Sequence, residues 1–144
     1  PRLPNDIVVL YILAKPNKQL VGSQVNSSAQ AMGLSFGEMN IFHYRKDNRN
    51  VFSLANTLEP GSFDASTIHA LKTTAPTVFM QIHGDDPLDD LTEMLQRSYQ
   101  LAGLLDARLC NHRREPLTEQ DAENYRTQVS TFTSSKTAEL SSET

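Results

Sequence analysis

The side chains able to do chemistry are few, and their spacing does not build a catalytic or metal centre. The four histidines, His43, His69, His83 and His112, contain no pair one helical turn apart, the separation that lets two imidazoles share a metal on one helix face. Asp85, Asp86, Asp89 and Asp90 crowd together as Ca²⁺ ligands do, yet not at the spacing of an EF-hand loop. An Asp before Pro87, with two more acids in the following turn, is what the positive end of a helix attracts. Cys110 is the single cysteine, so it closes no internal disulfide and no Cys–Cys metal pair. That points to a reducing compartment and a packed thiol. No phosphate-cradling glycine loop and no nucleophile elbow occurs. Asn26-Ser27-Ser28 matches a glycosylation sequon but falls inside a predicted helix. No catalytic residue, cofactor or metal is expected, and the chain does not read as an enzyme.

Charge narrows the choice further. Seventeen acidic residues against 13 basic ones leave a net charge of −4, which disfavours a phosphate-backbone partner. The longest apolar run, Ile7 to Ala14, falls far short of the roughly 20 residues a membrane span needs. Membrane contact is therefore expected only through an anchor that this chain does not include.

Few chemical groups shift attention to the elements. Residues 1–5 carry two prolines and read as the end of a linker. Residues 6–132 hold the apolar periodicity of one domain. Residues 133–144 are mostly polar and read as a disordered tail. Within the domain, Asp6–Ala14 predicts a strand, Gly22 to Gly33 a helix with Val25, Ala29 and Met32 on one face, and Glu38–Tyr44 a strand. Arg45–Asn50 reads as a hairpin loop, Val51–Leu58 as a strand, Phe63–Leu71 as a helical turn, Lys72–Ala75 as a loop and Pro76–Ile82 as a strand. Asp86-Pro87 opens a helix that Gly103 closes. Asp106–Cys110 and Arg113–Leu117 read as short strands, and Thr118 with Asp121 as a capping box before a last helix. The layout is α+β with a largely antiparallel sheet and helices on one side.

The strands then show an excess of apolar faces. One set of alternating positions is bulky enough to pack under helices. The other, read as Val8, Leu10, Met39, Ile41, Ala55 and Phe79, is more apolar than a water-facing sheet face should be. Either a helix or loop covers it, or it is an apolar patch that binds a partner.

These residues carry a resemblance. Phe36-Gly37-Glu38-Met39-Asn40-Ile41-Phe42-His43, Phe52-Ser53-Leu54-Ala55-Asn56 with Pro60-Gly61-Ser62-Phe63-Asp64, and Thr77-Val78-Phe79-Met80-Gln81 resemble, in order, three blocks of the ZipA C-terminal domain family. The resemblance covers roughly Asp6 to Val129. It implies a split β-α-β arrangement, with a six-stranded antiparallel sheet, three helices on one face and the other face open. It also implies an adaptor that binds the C-terminal tail peptide of the tubulin-like division protein FtsZ, on the cytoplasmic side of the inner membrane at the division site. The peptide-contacting positions it implies are Val8, Leu10, Met39, Ile41, Ala55, Asn56, Thr57, Leu58, Glu59, Thr77 and Phe79. Thr57 stands where better-known members carry Met, and Glu59 where they carry Lys. The competing class is an RRM-like nucleic-acid module, which also uses an open antiparallel sheet but wants exposed aromatics and a positive field.

Overall fold

The computed structural model describes residues 4–55, 72–73 and 76–143. The aliphatic run Ile7–Ala14 forms β1, and Leu20–Val21 forms the short β2. Helix α1, Gly22–Ala31, buries Val25 and Ala29 and ends where Gly33 adopts φ +85, a left-handed conformation that suits glycine. Strand β3, Ser35–Phe36, leads through a tight turn into β4, Phe42–Lys46. Asp47 and Asn48, with φ of 53 and 64, reverse the chain into β5, Arg49–Ala55. Two consecutive left-handed residues are the geometry of a two-residue hairpin turn. Lys72–Thr73 is β6 and Thr77–Gln81 is β7. Helix α2, Pro87–Leu104, begins as its sequence predicts: the Asp86 carboxylate accepts the Asp89 N–H at 3.2 Å. Strand β8, Ala107–Cys110, and helix α3, Glu119–Glu143, complete the chain.

Six strands form one antiparallel sheet in the order β3-β4-β5-β7-β1-β8, and β2 pairs with β6 in a separate two-stranded ribbon. The α+β class and the six-stranded sheet agree with the sequence reading. All three helices contribute to one core. Val25 and Ala29 from α1, Leu91, Met94 and Leu101 from α2, and Tyr125 and Val129 from α3 pack on Phe42, Phe52, Leu54, Val78 and Met80. A bidentate ion pair from Arg49 to the buried Asp90 ties the β4–β5 hairpin to α2.

Five element readings change. The Arg45–Asn50 loop shrinks to a turn at Asp47 and Asn48, because Arg45 pairs with Asn50 and Lys46 with Arg49. Glu38–Tyr44 is not one strand, because Glu38–Asn40 coils into a single tight turn. Lys72–Thr73 is a strand rather than a loop, paired with Leu20–Val21. Arg113–Leu117 makes only an isolated bridge between Cys110 and Pro116. The Asn111 side-chain Oδ1 accepts the N–H groups of Arg113 (2.8 Å) and Glu115 (3.0 Å), a side-chain turn that competes with strand pairing. Residues 133–143 continue α3 rather than leaving it, since extending a formed helix adds a hydrogen bond per residue fixed. Phe63–Leu71 lies outside the described residues. Among the described residues no helix is long and apolar enough to cross a membrane.

Candidate functional site

Strand register decides which side chains share the face away from the helices. Val9 pairs with Phe79, Tyr11 with Thr77 and with Cys110, and Leu13 with Arg108. Ser53 pairs with Phe79 and with His43, and Ala55 with Thr77. Directly opposed residues point to the same side of a sheet. The open face therefore runs from Arg108 and Cys110 across Ile7, Val9, Tyr11 and Leu13 to Thr77 and Phe79, then Ser53 and Ala55, then His43. Ile7, Tyr11, Leu13, Ala55, Thr77 and Phe79 are half-buried. Val9, Ile41 and Cys110 are buried yet lie outside the helix-side core cluster.

Val8 and Leu10 do not belong to this face. They are 1% and 0% exposed, pair with Met80 and Val78, and sit in the core under the helices. Ile7 and Val9 take their places. The sequence misleads here because every residue from Ile7 to Ala14 is apolar, so alternation alone does not tell one face from the other. The usable signal is Tyr11, whose hydroxyl favours the wetter face and carries Val9 and Leu13 with it. Phe79, Thr77, Ala55 and Ile41 stand on the expected side. Asn56, Thr57, Leu58 and Glu59 lie outside the described residues.

Met39 reaches the site differently from a strand residue. It is 83% exposed, at the tip of the Glu38–Asn40 turn, with φ of 62, and Asn40 follows at 59. Left-handed backbone costs a non-glycine residue about 1–2 kcal/mol, so two in succession need support. The Asn40 N–H donates to the Gly37 carbonyl at 2.9 Å, and the Gly37 N–H to the Ile41 carbonyl at 3.0 Å. His43 completes the clamp from the sheet. Its Nε2 lies 2.8 Å from the Glu38 carbonyl and its Nδ1 2.8 Å from Ser53 Oγ. A carbonyl only accepts, so Nε2 carries the hydrogen. His43 is thus a buried strut between β5 and the turn that presents Met39.

The β8 end of the face is closed by the turn after Cys110. Arg114, left-handed with φ 66, donates its N–H to the Asn111 carbonyl at 2.9 Å and lays its guanidinium 4.5 Å from the Tyr11 ring centre. Arg108 donates to the Ala14 carbonyl at 3.2 Å. Burial pushes the Cys110 thiol above its ordinary range, which keeps it protonated and a poor nucleophile. Among the described residues no group of three His, Cys, Asp or Glu side chains is placed to hold a metal. The arrangement offers apolar area and shape, the means of a binding surface.

Comparison with known proteins fits this geometry. The model of the family described as ZipA, C-terminal FtsZ-binding domain, matches residues 6–128. The cell division protein ZipA of Shewanella frigidimarina is 37% identical over 130 residues, covering 87% of this chain and 37% of that protein. ZipA of Colwellia psychrerythraea is 32% identical over 136 residues, 91% of this chain and 36% of that protein. ZipA of Haemophilus ducreyi is 34% identical over 133 residues, 88% and 40% of the two chains. The chain therefore spans well under half the length of these relatives.

Proposed function

Because the chain belongs to the family of ZipA C-terminal FtsZ-binding domains, we propose that its open sheet face docks the C-terminal tail peptide of FtsZ. The observation that carries this reading is the apolar stripe of half-buried Ile7, Tyr11 and Phe79 around the buried Val9, on the sheet face away from the helices and flanked by the exposed Met39. Ile41, Ala55 and Thr77 extend the stripe toward β4. Asn56, Thr57, Leu58 and Glu59 continue it on sequence grounds. Apolar side chains of the tail cover the stripe, and Met39 adapts its flexible thioether to them. Within a longer protein carrying a membrane anchor, such a domain tethers FtsZ to the cytoplasmic face of the inner membrane during septum formation. The domain works by binding alone, with no bond made or broken.

A disordered tail loses conformational entropy on docking, so the isolated complex is of modest affinity, on the order of micromolar. Titration of the domain with the tail peptide of FtsZ from the same organism, followed by backbone amide shifts, tests the reading. The largest shifts are expected at Ile7, Val9, Met39 and Phe79. Shifts confined to the outer surfaces of α2 and α3, or no binding at millimolar peptide, overturn it.

A further inference from the structure

The open face is apolar along its centre, but its β8 corner carries two arginines that form no ion pair among the described residues. Arg45, Arg49, Arg97, Arg113 and Arg126 each have a carboxylate within salt-bridge distance, in a chain where acids outnumber bases. Arg108 and Arg114 have none among the described residues, and both stand at the same corner of the same face. Arg108 lies on the open side because it opposes Leu13. Arg114 lies there because its guanidinium rests on Tyr11.

This corner is also preformed. Asn111 fixes the turn through two backbone N–H groups, and the turn holds Arg114 in a left-handed conformation directed back over β1. The aromatic ring beneath it restrains the side chain and lowers the local dielectric, while the N–H edge of a stacked guanidinium remains free to donate. Planar, bidentate donation is the geometry that selects a carboxylate. Arg113, the neighbour in sequence, is already engaged by Glu115 at 2.9 Å and Asp121 at 3.6 Å, so Arg114 is the one left available.

We propose that Arg114, assisted by Arg108, forms an acid-binding subsite at the β8 end of the open face. It receives a carboxylate of the docked segment and so fixes which way that segment lies across the apolar stripe. This deepens, and rests on, the reading of the face as a docking site for the FtsZ tail. The carboxylate comes either from an acidic side chain of the segment or from its free C-terminus.

The test is a titration of the intact domain and of Arg114→Gln with the synthetic FtsZ C-terminal tail peptide, at low and at moderate salt. Arg114→Gln is expected to weaken binding about 3- to 10-fold at low salt, and less as salt screens the pair. Arg126→Gln on α3 serves as the control and leaves affinity unchanged. In the second arm the domain stays intact and the peptide's acids are neutralised singly, Asp to Asn, Glu to Gln, or the C-terminus to an amide. One of these peptides is expected to lose the same factor and to become insensitive to Arg114→Gln. Which one it is distinguishes a side chain from the terminal carboxylate. Equal affinity of both domains at both salts, or no neutralised peptide that binds more weakly, overturns the subsite and leaves the docking face standing. A wild-type domain that does not bind the tail at all overturns the face and the subsite together.

Discussion

Phe79 and Met80 are adjacent in β7 and point to opposite sides of the sheet. Met80 is 2% exposed in the core, whereas Phe79 is half-buried on the open face. Phe79→Ala leaves no internal cavity, so it is expected to cost below roughly 1.5 kcal/mol of stability while weakening tail binding by about 1.5–3 kcal/mol. Met80→Ala is expected to do the reverse and lose about 2–5 kcal/mol of stability through a cavity. Denaturant unfolding of both variants, paired with peptide titration, checks the contrast. His43 gives a second residue-scale expectation. His43→Ala removes the strut under the Glu38–Asn40 turn and should weaken tail binding by about 1 kcal/mol, the value of a typical hydrogen bond. If it acts through Met39, that loss disappears when it is measured in a Met39→Ala background. A loss of equal size in both backgrounds contradicts the role. At this scale the sequence was legible where neighbours differ in type. Phe79 beside Gln81 and Thr77 is placed correctly, and Ala55 beside Leu54 likewise. It was illegible in Ile7–Ala14, where the choice between Val8 and Val9 rests on pairing with a strand distant in sequence. The left-handed Met39 was equally hidden, since its support comes from the His43 side chain rather than from local propensity.

Elements announce themselves in the sequence where their ends carry local chemistry. The Asp86-Pro87 start of α2 and the Thr118–Asp121 box of α3 are such cases, because a cap's partners lie within one turn. In the box, Thr118 Oγ accepts the Asp121 N–H at 3.0 Å, and the Asp121 carboxylate accepts the Thr118 N–H at 3.0 Å. That backbone N–H, with help from Asn111, the Thr118 hydroxyl and Arg113, holds the Asp121 carboxyl below its ordinary range. A depressed folded pKa means stability that is fully present above the unfolded value of about 4 and is lost as pH falls through the folded value. Asp121→Asn keeps an acceptor but removes the charge. Its melting temperature is therefore expected to fall less steeply than wild type below pH 4, as thermal unfolding by circular dichroism would read. The hairpin between β4 and β5 offers the opposite kind of change. Asn48 holds φ 64, where glycine is unstrained, so Asn48→Gly is expected to raise stability by a few tenths to about 1 kcal/mol in a urea midpoint measurement. What the sequence hid at this scale was non-local. Lys72–Thr73 becomes a strand only because Leu20–Val21 lies beside it, and Arg113–Leu117 fails to become one because the Asn111 side chain takes its N–H groups.

For the molecule as a whole, the sign and spread of charge set the response to salt. An acidic chain whose proposed docking face is apolar through its centre should lose only a few-fold in tail affinity between low and moderate ionic strength, the share owed to the proposed arginine subsite. A nucleic-acid module would lose orders of magnitude over the same range. Titration at two salt concentrations, alongside an RNA control, separates the two. The α+β class was legible from composition and periodicity, but the strand order β3-β4-β5-β7-β1-β8 was not, since periodicity carries no information about neighbours. That order has a consequence for how the chain is made. Of the strands in this sheet β1 is made before the others, yet it belongs in the sheet interior, between β7 and β8, which are synthesised later than β3, β4 and β5. Until β7 arrives, β1 is an aliphatic ribbon with both edges unpaired, whereas β3, β4 and β5 have their partners close by in sequence. Nascent chains stalled before β7 should therefore be held by chaperones and cut readily by proteases, and protection should come abruptly once β7 and α2 emerge.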